Sequence, residues 1–198
     1  GYALQLPAID AFIDLPQSIV LADLAAEGDF DIALPDEGVE GRLSIAALSG
    51  QLSEFPLQGR GAILFRPGSI EVNDLQLQTQ SNQISLDGSY SDTLDLNWSV
   101  SVASLQEFLA GSEGELEGNG RLEGDPAAPN IVGTLVGRDI AYQQIDADEF
   151  SFDFSRIDGQ VQSELSIDRI TYTDGAFVET VAPVVLKVSG SETNHRID

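Results

Sequence analysis

Apolar and polar residues alternate along most of this chain. The clearest run has an apolar residue at every second position, with Asp, Asn or Ser between them: Leu94, Asp95, Leu96, Asn97, Trp98, Ser99, Val100, Ser101 and Val102. Successive side chains of a β-strand point to opposite faces, so such a run predicts a strand with one apolar face and one face in water. Shorter runs of the same kind recur: Phe30, Ile32 and Leu34; Leu43 and Ile45; Leu75 and Leu77; Ile84 and Leu86; Ile140 and Tyr142; Phe150, Phe152 and Phe154; Leu165 and Ile167; Ile170 and Tyr172. Glycines separate many of these runs, and the pattern predicts an all-β chain of about fourteen short, mainly antiparallel strands.

One short helix is predicted after the longest alternating run, near residues 104–110. Ser104 and Glu107 have the spacing of a capping box, in which each side chain bonds the main-chain N–H of the other residue. Three apolar residues would share one helical face: Leu105, Phe108 and Leu109. Gly111 stands where such a helix would end. Residues 19–27 fit either a helix or a strand, and we favour a strand.

A second pattern repeats at an offset of 59 residues. Residues 57–61, Leu-Gln-Gly-Arg-Gly, are similar to residues 116–120, Leu-Glu-Gly-Asn-Gly. Self-similarity of this kind is typical of elongated arrays in which each unit packs on its neighbours. We therefore expect residues 1–198 to form a single segment of an elongated β-repeat domain, with internal repeats near 57–105 and 116–190.

Charge and composition exclude several classes of function. The chain has 198 residues, of which 33 are acidic and 9 are basic, so its formal net charge is −24. This charge argues against a nucleic-acid partner, because phosphate binding needs a basic surface. The absence of cysteine excludes disulfides, thiolate metal sites and cysteine nucleophiles, and the single histidine, His195, leaves little room for a histidine metal site. The apolar content of 42% is enough to form a core, which argues against a disordered chain.

The sequence contains neither a signal-peptide pattern nor an apolar stretch of the length of a spanning helix. It also contains no methionine, even at residue 1. We therefore expect a processed product or a piece of a longer protein, and we favour the piece.

One group of acidic residues has the chemistry of a metal or acid–base site: Asp146, Asp148, Glu149 and Asp153. Asp148 would lie on the same strand face as the apolar Phe150, whereas Glu149 and Asp153 would lie on the opposite face. We therefore interpret these acidic residues as side chains on strand faces in contact with water. The glycine-rich residues 118–124 miss the dinucleotide-binding spacing, and no Gly-x-Ser-x-Gly nucleophile motif is present. We therefore predict no catalytic residue, no metal and no cofactor, and a protein that is not an enzyme.

The apolar strand face has two interpretations. It can form the inner side of a closed sandwich or barrel, which is the usual arrangement for strands of this kind. It can equally line an open groove that holds an apolar ligand. Composition does not choose between the two.

The order of several segments resembles a known family. The alternating run leads into the short helical segment and then into a glycine-rich strand, a loop with two prolines and further strands: Leu94–Val100, Leu105–Leu109, Leu116–Gly124, Pro126, Pro129, Ile131–Leu135, Ile140–Tyr142, Ile145, Leu186–Gly190 and Asn194–Ile197. Over about residues 40–198, this order resembles the periplasmic region of the TamB family. That family comprises the inner-membrane subunit of the translocation and assembly module, within the AsmA-like superfamily.

The resemblance implies a fold, a function and a location. The implied fold is a β-taco, an elongated open curved sheet with an apolar concave groove. The implied function is non-enzymatic transport of phospholipid between the inner and outer bacterial membranes, linked to outer-membrane protein assembly with the barrel partner TamA. The parent protein would be anchored in the inner membrane, and this segment would be a soluble part in the periplasm. The residues expected to line the groove and to contact phospholipid acyl chains are Leu94, Leu96, Trp98, Val100, Leu135, Ile140, Tyr142, Phe150, Phe152, Phe154, Leu165, Ile167, Ile170 and Tyr172.

The alternative is a structural or adhesive β-solenoid or sandwich module of a secreted bacterial surface protein. Such a module would share the acidity, the lack of cysteine and the strand repeats. A third interpretation is an enzyme on a β-helix scaffold that acts on polysaccharide through paired carboxylates. We favour the lipid groove.

Overall fold

The structure is a computed structural model that describes residues 3–5, 20–33, 40–52, 54–191 and 194–197. These residues form one open, curved, antiparallel sheet of fifteen strands, which confirms the predicted all-β class. The strands are β1 (Ala3–Gln5), β2 (Val20–Ala33), β3 (Glu40–Leu52), β4 (Phe55–Arg66), β5 (Ser69–Gln78), β6 (Asn82–Tyr90), β7 (Leu94–Val102), β8 (Ser112–Gly124), β9 (Asn130–Tyr142), β10 (Ile145–Ile157), β11 (Gln160–Ile167), β12 (Ile170–Asp174), β13 (Phe177–Val181), β14 (Val184–Ser191) and β15 (Asn194–Ile197).

The sheet is a meander. From β1 to β11, strands that follow one another in the chain are also neighbours in the sheet, and β14 and β15 then extend it beyond β11. β11 and β12 continue a single register against β10, so they behave as one long strand interrupted at residues 168–169. β13 pairs with β12 in the register that β14 keeps with β11, so β13 lies beside β12 as β14 lies beside β11. Most strands are therefore paired with the strands beside them in the chain, whereas β12 pairs with β10 and β14 with β11.

Several strands are longer than the sequence pattern predicts. β2, with 14 residues, and β8, with 13 residues, are examples. The reason is that glycines taken as boundaries lie inside strands: Gly118 and Gly120 are interior to β8 and pair with Val100 and Trp98. A glycine weakens a strand because it has no side chain to pack, but its N–H and C=O still join the ladder.

The short helix predicted near residues 104–110 is present as a single 3-10 turn, Leu105–Glu107. The capping box predicted from Ser104 and Glu107 is wrong, because the Ser104 side chain makes no cap hydrogen bond. Glu107 is instead buried under the turn.

The strand favoured for residues 19–27 is confirmed from residue 20 onward, where β2 begins, while residue 19 lies outside the described residues. Strand register shifts at three aspartates with left-handed backbone: Asp23, Asp74 and Asp139, with φ of 53°, 48° and 51°. Aspartate adopts this conformation more readily than most residues. Each such bulge adds one residue to one strand of a pair and so changes which residues face each other beyond it.

The sheet is open rather than closed into a sandwich or barrel. Among the described residues, the buried apolar side chains are Leu52, Leu57 and Val102, and none of the large side chains is fully buried. Most other apolar side chains are half-buried, and some are largely exposed, such as Phe177 at 57%. Of the two interpretations of the apolar strand face, the structure supports the open one.

Candidate functional site

One side of the sheet, here named the apolar face, carries the alternating apolar residues. Cross-strand pairing aligns one residue from each of ten strands into a row across the sheet: Leu48, Gly59, Leu77, Ile84, Val100, Gly118, Leu135, Phe152, Leu165 and Leu186. We name this set the apolar row. Its members are half-buried or exposed. The row is therefore a continuous apolar strip that solvent reaches.

A parallel row contains the aromatic side chains: Leu86, Trp98, Gly120, Gly133 and Phe154. The rings of Trp98 and Phe154 in this row lie over Gly120 and Gly133. A Cβ added to Gly120 would lie 2.6 Å from Cζ2 of Trp98, and one added to Gly133 would lie 2.5 Å from Cζ of Phe154. Trp98 and Phe154 stand three strands apart, about 14 Å at the usual strand spacing. Their ring centroids are nevertheless only 6.5 Å apart, with 13° between the planes, because the glycines leave room for both rings to lean inward.

The same complementarity recurs beside these two residues. A Cβ on Gly118 would lie 2.3 Å from Cδ2 of Leu135, and a Cβ on Gly137 would lie 2.2 Å from Cε1 of Phe150. Each large side chain is thus paired with a glycine directly opposite it and leans across it. At these positions the large side chains therefore lie across the neighbouring strand rather than pointing straight away from the sheet.

The opposite side, here named the polar face, carries ion pairs between strands and within a strand. Arg121 lies 3.0 Å from Asp95 and 3.3 Å from Glu123, and Lys187 lies 2.9 Å from Glu164. The hydrogen bond to Asp95, with the negative charges of Asp95 and Glu123, raises the pKa of Arg121. These pairs are about half exposed, so each adds little to stability. They mark the polar face as the side that faces water.

A buried polar cluster closes one end of β5 to β8. Thr79, Asn82 and Glu107 are 7%, 2% and 5% exposed. The Thr79 hydroxyl donates to Oε2 of Glu107, and Nδ2 of Asn82 donates to the same oxygen at 3.0 Å. Asn82 also exchanges two 3.0 Å hydrogen bonds with the main chain of Ser104. We name this set, Thr79, Asn82, Ser104 and Glu107, the polar latch, because it ties the 3-10 turn to the β5–β6 hairpin.

Two hollows of the described surface, with volumes of about 530 Å³ and 470 Å³, are lined in part by side chains of the polar face. The second is lined by residues of β9, β10, β11 and β14, and its polar-face residues are Asp153, Ser155, Gln162, Glu164, Lys187 and Ser189. Such a hollow is a trough between two rows of exposed side chains.

Most residues predicted to line a groove come together on the apolar face: Leu94, Leu96, Trp98, Val100, Leu135, Phe150, Phe152, Phe154, Leu165 and Ile167. The others lie beyond the bulge at Asp139 and form a separate group that pairs with Ile145 and Ala147 of β10: Ile140, Tyr142, Ile170 and Tyr172. Their contact with acyl chains stays a prediction.

The acidic group weighed as a metal or acid–base site is exposed at all four positions: Asp146, Asp148, Glu149 and Asp153. Asp148 forms an ion pair with Arg169, and Glu149 lies 3.4 Å from Arg138. Within the described residues, no group of three or more His, Cys, Asp or Glu side chains is placed to hold a metal ion. These carboxylates are therefore exposed side chains on strand faces in contact with water.

Sequence reasoning missed two features of the site. Arg156 continues the parity of the β10 phenylalanines and so lies on the apolar face, a position that the spacing Phe-x-Phe-x-Phe-x-Arg could have indicated. The polar latch carried no local signal, because its side-chain bonds to Glu107 join residues 25 and 28 positions apart.

Comparison with protein-family models matches residues 17–198 to the TamB N-terminal domain. No curated protein and no solved structure matches the chain. In the described part of the chain, no helix has the length and apolar character needed to cross a membrane.

Proposed function

Because the chain belongs to the TamB family, we propose that it carries phospholipid between the inner and outer bacterial membranes, with the acyl chains held against the apolar face. The family is linked to lipid transport and envelope biogenesis, and it is transport-related rather than catalytic. In this proposal the chain contributes a surface rather than a reacting group.

The observation that carries the proposal is the continuity of the apolar row. It has one residue on each of ten neighbouring strands, and each is apolar or glycine. Nine strand spacings correspond to about 43 Å. A lipid tail is about 15 Å long, half of the apolar thickness of a bilayer. The strip is therefore long enough for a tail to occupy successive positions along it.

An apolar strip of this kind fits movement of a lipid tail better than tight binding at one point. Hydrophobic attraction is non-directional, so its strength changes little from one apolar position to the next. At about 0.8 kcal/mol for each buried methylene, even a partly covered tail is retained. A tail can thus stay bound while it shifts, because the attraction is similar at successive apolar positions.

The proposal extends to location and partners. We place this segment in the periplasm, in a parent protein anchored in the inner membrane. The parent would act with the outer-membrane barrel TamA and take part in outer-membrane protein assembly. Family membership supports these points, and no individual residue of this chain is assigned to them.

Photocrosslinking at single positions of β10 tests the proposal. A benzophenone amino acid is placed at Phe152 on the apolar face or, in matched variants, at Glu149 or Asp153 on the polar face. The protein is loaded from detergent micelles that contain phospholipid, irradiated, and analysed by mass spectrometry. We expect lipid adducts at Phe152 and few at the other two positions.

The three variants share one strand, so they differ in the face that carries the probe. Circular dichroism confirms that each variant is folded before loading. Equal labelling on both faces, or no labelling at Phe152 in folded protein, would overturn the proposal.

A further inference from the structure

A row of side chains on the polar face contains no acidic residue, although the chain has 33 of them. Strand pairing aligns one residue from each of six strands, β4 to β9, into this row. We name it the acid-free row, and its members are Arg60, Gln76, Ser85, Ser99, Asn119 and Thr134. Five strand spacings correspond to about 24 Å. The row therefore offers hydrogen-bond donors and acceptors over a length greater than that of one small molecule.

The larger of the two hollows described above lies at the β4 end of this row. Its volume of about 530 Å³ falls within the range of about 300–1,000 Å³ that small-ligand sites occupy. None of the described residues that line it is acidic, and the polar ones are Ser49, Gln58, Arg60, Gln76 and Gln78. They bring hydroxyl, amide and guanidinium groups together. A sugar matches such a lining, because each of its hydroxyls can both donate and accept a hydrogen bond.

Arg60 differs in its partner from Arg121 and Lys187 on the same face. Nε and Nη2 of Arg60 donate to Oε1 of Gln76 at 3.1 Å and 2.9 Å, so its partner is a neutral amide. Arg121 and Lys187 lie beside carboxylates instead. A guanidinium has five N–H donors, and it binds a carboxylate through two parallel hydrogen bonds. The donors of Arg60 that Gln76 does not use can therefore bind a carboxylate of a ligand in the hollow.

The charge of the whole chain limits how many anionic groups such a ligand can carry. A net charge of −24 repels a polyanion. A single carboxylate on Arg60 is attracted by the guanidinium, and repulsion from exposed charges more than about 8 Å away is largely screened at 0.15 M salt. The other members of the acid-free row are uncharged and suit hydroxyl and amide groups. These observations favour a glycan with isolated carboxylates over a phosphorylated or sulfated polymer.

We propose that the polar face binds a glycan, with a carboxylate of one sugar unit on Arg60 in the hollow and the neighbouring units hydrogen-bonded along the acid-free row. The side-chain amides of Gln58, Gln76 and Gln78 contact the hydroxyl and acetamido groups of the unit in the hollow. This inference goes beyond the proposed function, because it concerns the face opposite the apolar row and does not depend on lipid binding. The two faces of one sheet would then hold ligands of different chemistry.

The test titrates the isotope-labelled 198-residue chain with three probes and follows its amide signals by NMR. The probes are the disaccharide of N-acetylglucosamine and N-acetylmuramic acid, chitobiose, which lacks only the lactyl group with its carboxylate, and lactate alone. We expect the acidic disaccharide to shift the side-chain signals of Gln58, Gln76 and Gln78. It should bind more tightly than chitobiose by roughly fivefold, as for an exposed ion pair, and lactate should bind more weakly than either. Arg60→Gln should bind the two disaccharides equally.

Arg121→Gln is the matched control, because it removes the same charge from a position that is already paired with a carboxylate, and it should bind as the wild type does. A second variant, Gln78→Glu, places a carboxylate in the hollow at an exposed position. It should weaken binding of the acidic disaccharide more than that of chitobiose, and it decides the question should Arg60→Gln fail to fold.

Three results would overturn the proposal. Wild-type protein that binds neither disaccharide would rule out the glycan site. Equal discrimination between the disaccharides by wild type, Arg60→Gln and Gln78→Glu would rule out the role of Arg60. Lactate that binds as tightly as the acidic disaccharide would show a site for a carboxylate alone, without the sugar.

Discussion

At the residue scale, the apolar face depends on glycines that lie opposite large side chains. At Gly120 an added Cβ would meet the Trp98 ring at 2.6 Å and the main-chain oxygen of Val132 at 2.5 Å. On an open face the ring can swing outward into solvent. The oxygen cannot, because it belongs to the neighbouring strand and takes part in the sheet. Gly120 therefore allows a close approach of two strands that no other residue would permit.

We predict that Gly120→Ala lowers the free energy of unfolding by about 1–3 kcal/mol, the range for an inserted methyl group that must displace its surroundings. Urea denaturation measures the loss, and Trp98, the single tryptophan, reports it by fluorescence. Asn119→Ala is the control, since Asn119 directly precedes Gly120 in β8 and is exposed on the polar face. Its effect should stay within about 0.5 kcal/mol. Equal urea midpoints for wild type and Gly120→Ala would contradict the prediction.

Alternation alone predicted which residues share the apolar face, because the side-chain period of a strand is two residues. It could not predict that Trp98 faces Gly120 or that Phe154 faces Gly133, since such pairs depend on the register between strands. Register also depends on bulges, and the bulge at Asp139 separates Ile140 from the rest of the predicted lining. Nothing in the local sequence distinguishes that aspartate from the many in ordinary strand positions.

At the element scale, the 3-10 turn forms where the local spacing predicts it, but its hydrogen-bond partners differ from those of the predicted capping box. Ser104 and Glu107 have capping-box spacing, but Glu107 bonds Thr79 and Asn82 of another hairpin. The side chain is buried there, and its hydrogen bonds are the reason that it can be. Local spacing predicted that a helical turn would form, whereas the tertiary hydrogen bonds that hold it could not be predicted from spacing.

We predict that Asn82→Ala destabilises the protein by roughly 1.5–3 kcal/mol, because it removes donors to a buried carboxylate and to the Ser104 carbonyl. Hydrogen exchange should quicken in residues 104–111 and stay slow in β9 and β10. Asn97→Ala, at an exposed position of β7, is the control and should alter neither quantity. If exchange in residues 104–111 were the same in Asn82→Ala and wild type, the polar latch would not hold the turn.

The β12–β13 hairpin is the other element with a distinct behaviour. In the described part of the sheet, β13 pairs with β12 alone, and all five of its residues are exposed. β12 is also paired with β10, so β13 is an edge strand whose ladder lies on one side only. We predict that the amides of residues 177–181 exchange faster than those of β10 and β11, as measured by hydrogen exchange with mass spectrometry of peptides. Equal protection in the two regions would show that β13 is held by contacts beyond its ladder with β12.

At the scale of the whole molecule, the meander explains why the sheet is open. A sandwich needs strands that cross to a second layer, whereas here almost every strand pairs with its neighbour in the chain. Composition could not decide between an open and a closed form, because both have one apolar face for each strand. Charged and apolar residues also lie on opposite faces of the sheet. The ion-paired side chains of Arg121 and Lys187 lie on the polar face, and the apolar row lies on the apolar face.

The net charge of −24 leads to a prediction about exchange with membranes. A strongly acidic protein is repelled by an anionic bilayer, and the range of that repulsion falls from about 30 Å at 0.01 M salt to about 8 Å at 0.15 M. We therefore expect uptake of fluorescent phospholipid from phosphatidylglycerol-containing vesicles to quicken severalfold over this range, because encounter is the repelled step. Uptake from vesicles of phosphatidylcholine alone, which carry no net charge, should change little and serves as the control. The same salt dependence with both vesicles would mean that overall charge does not limit encounter, and that release of the lipid from the bilayer sets the rate instead.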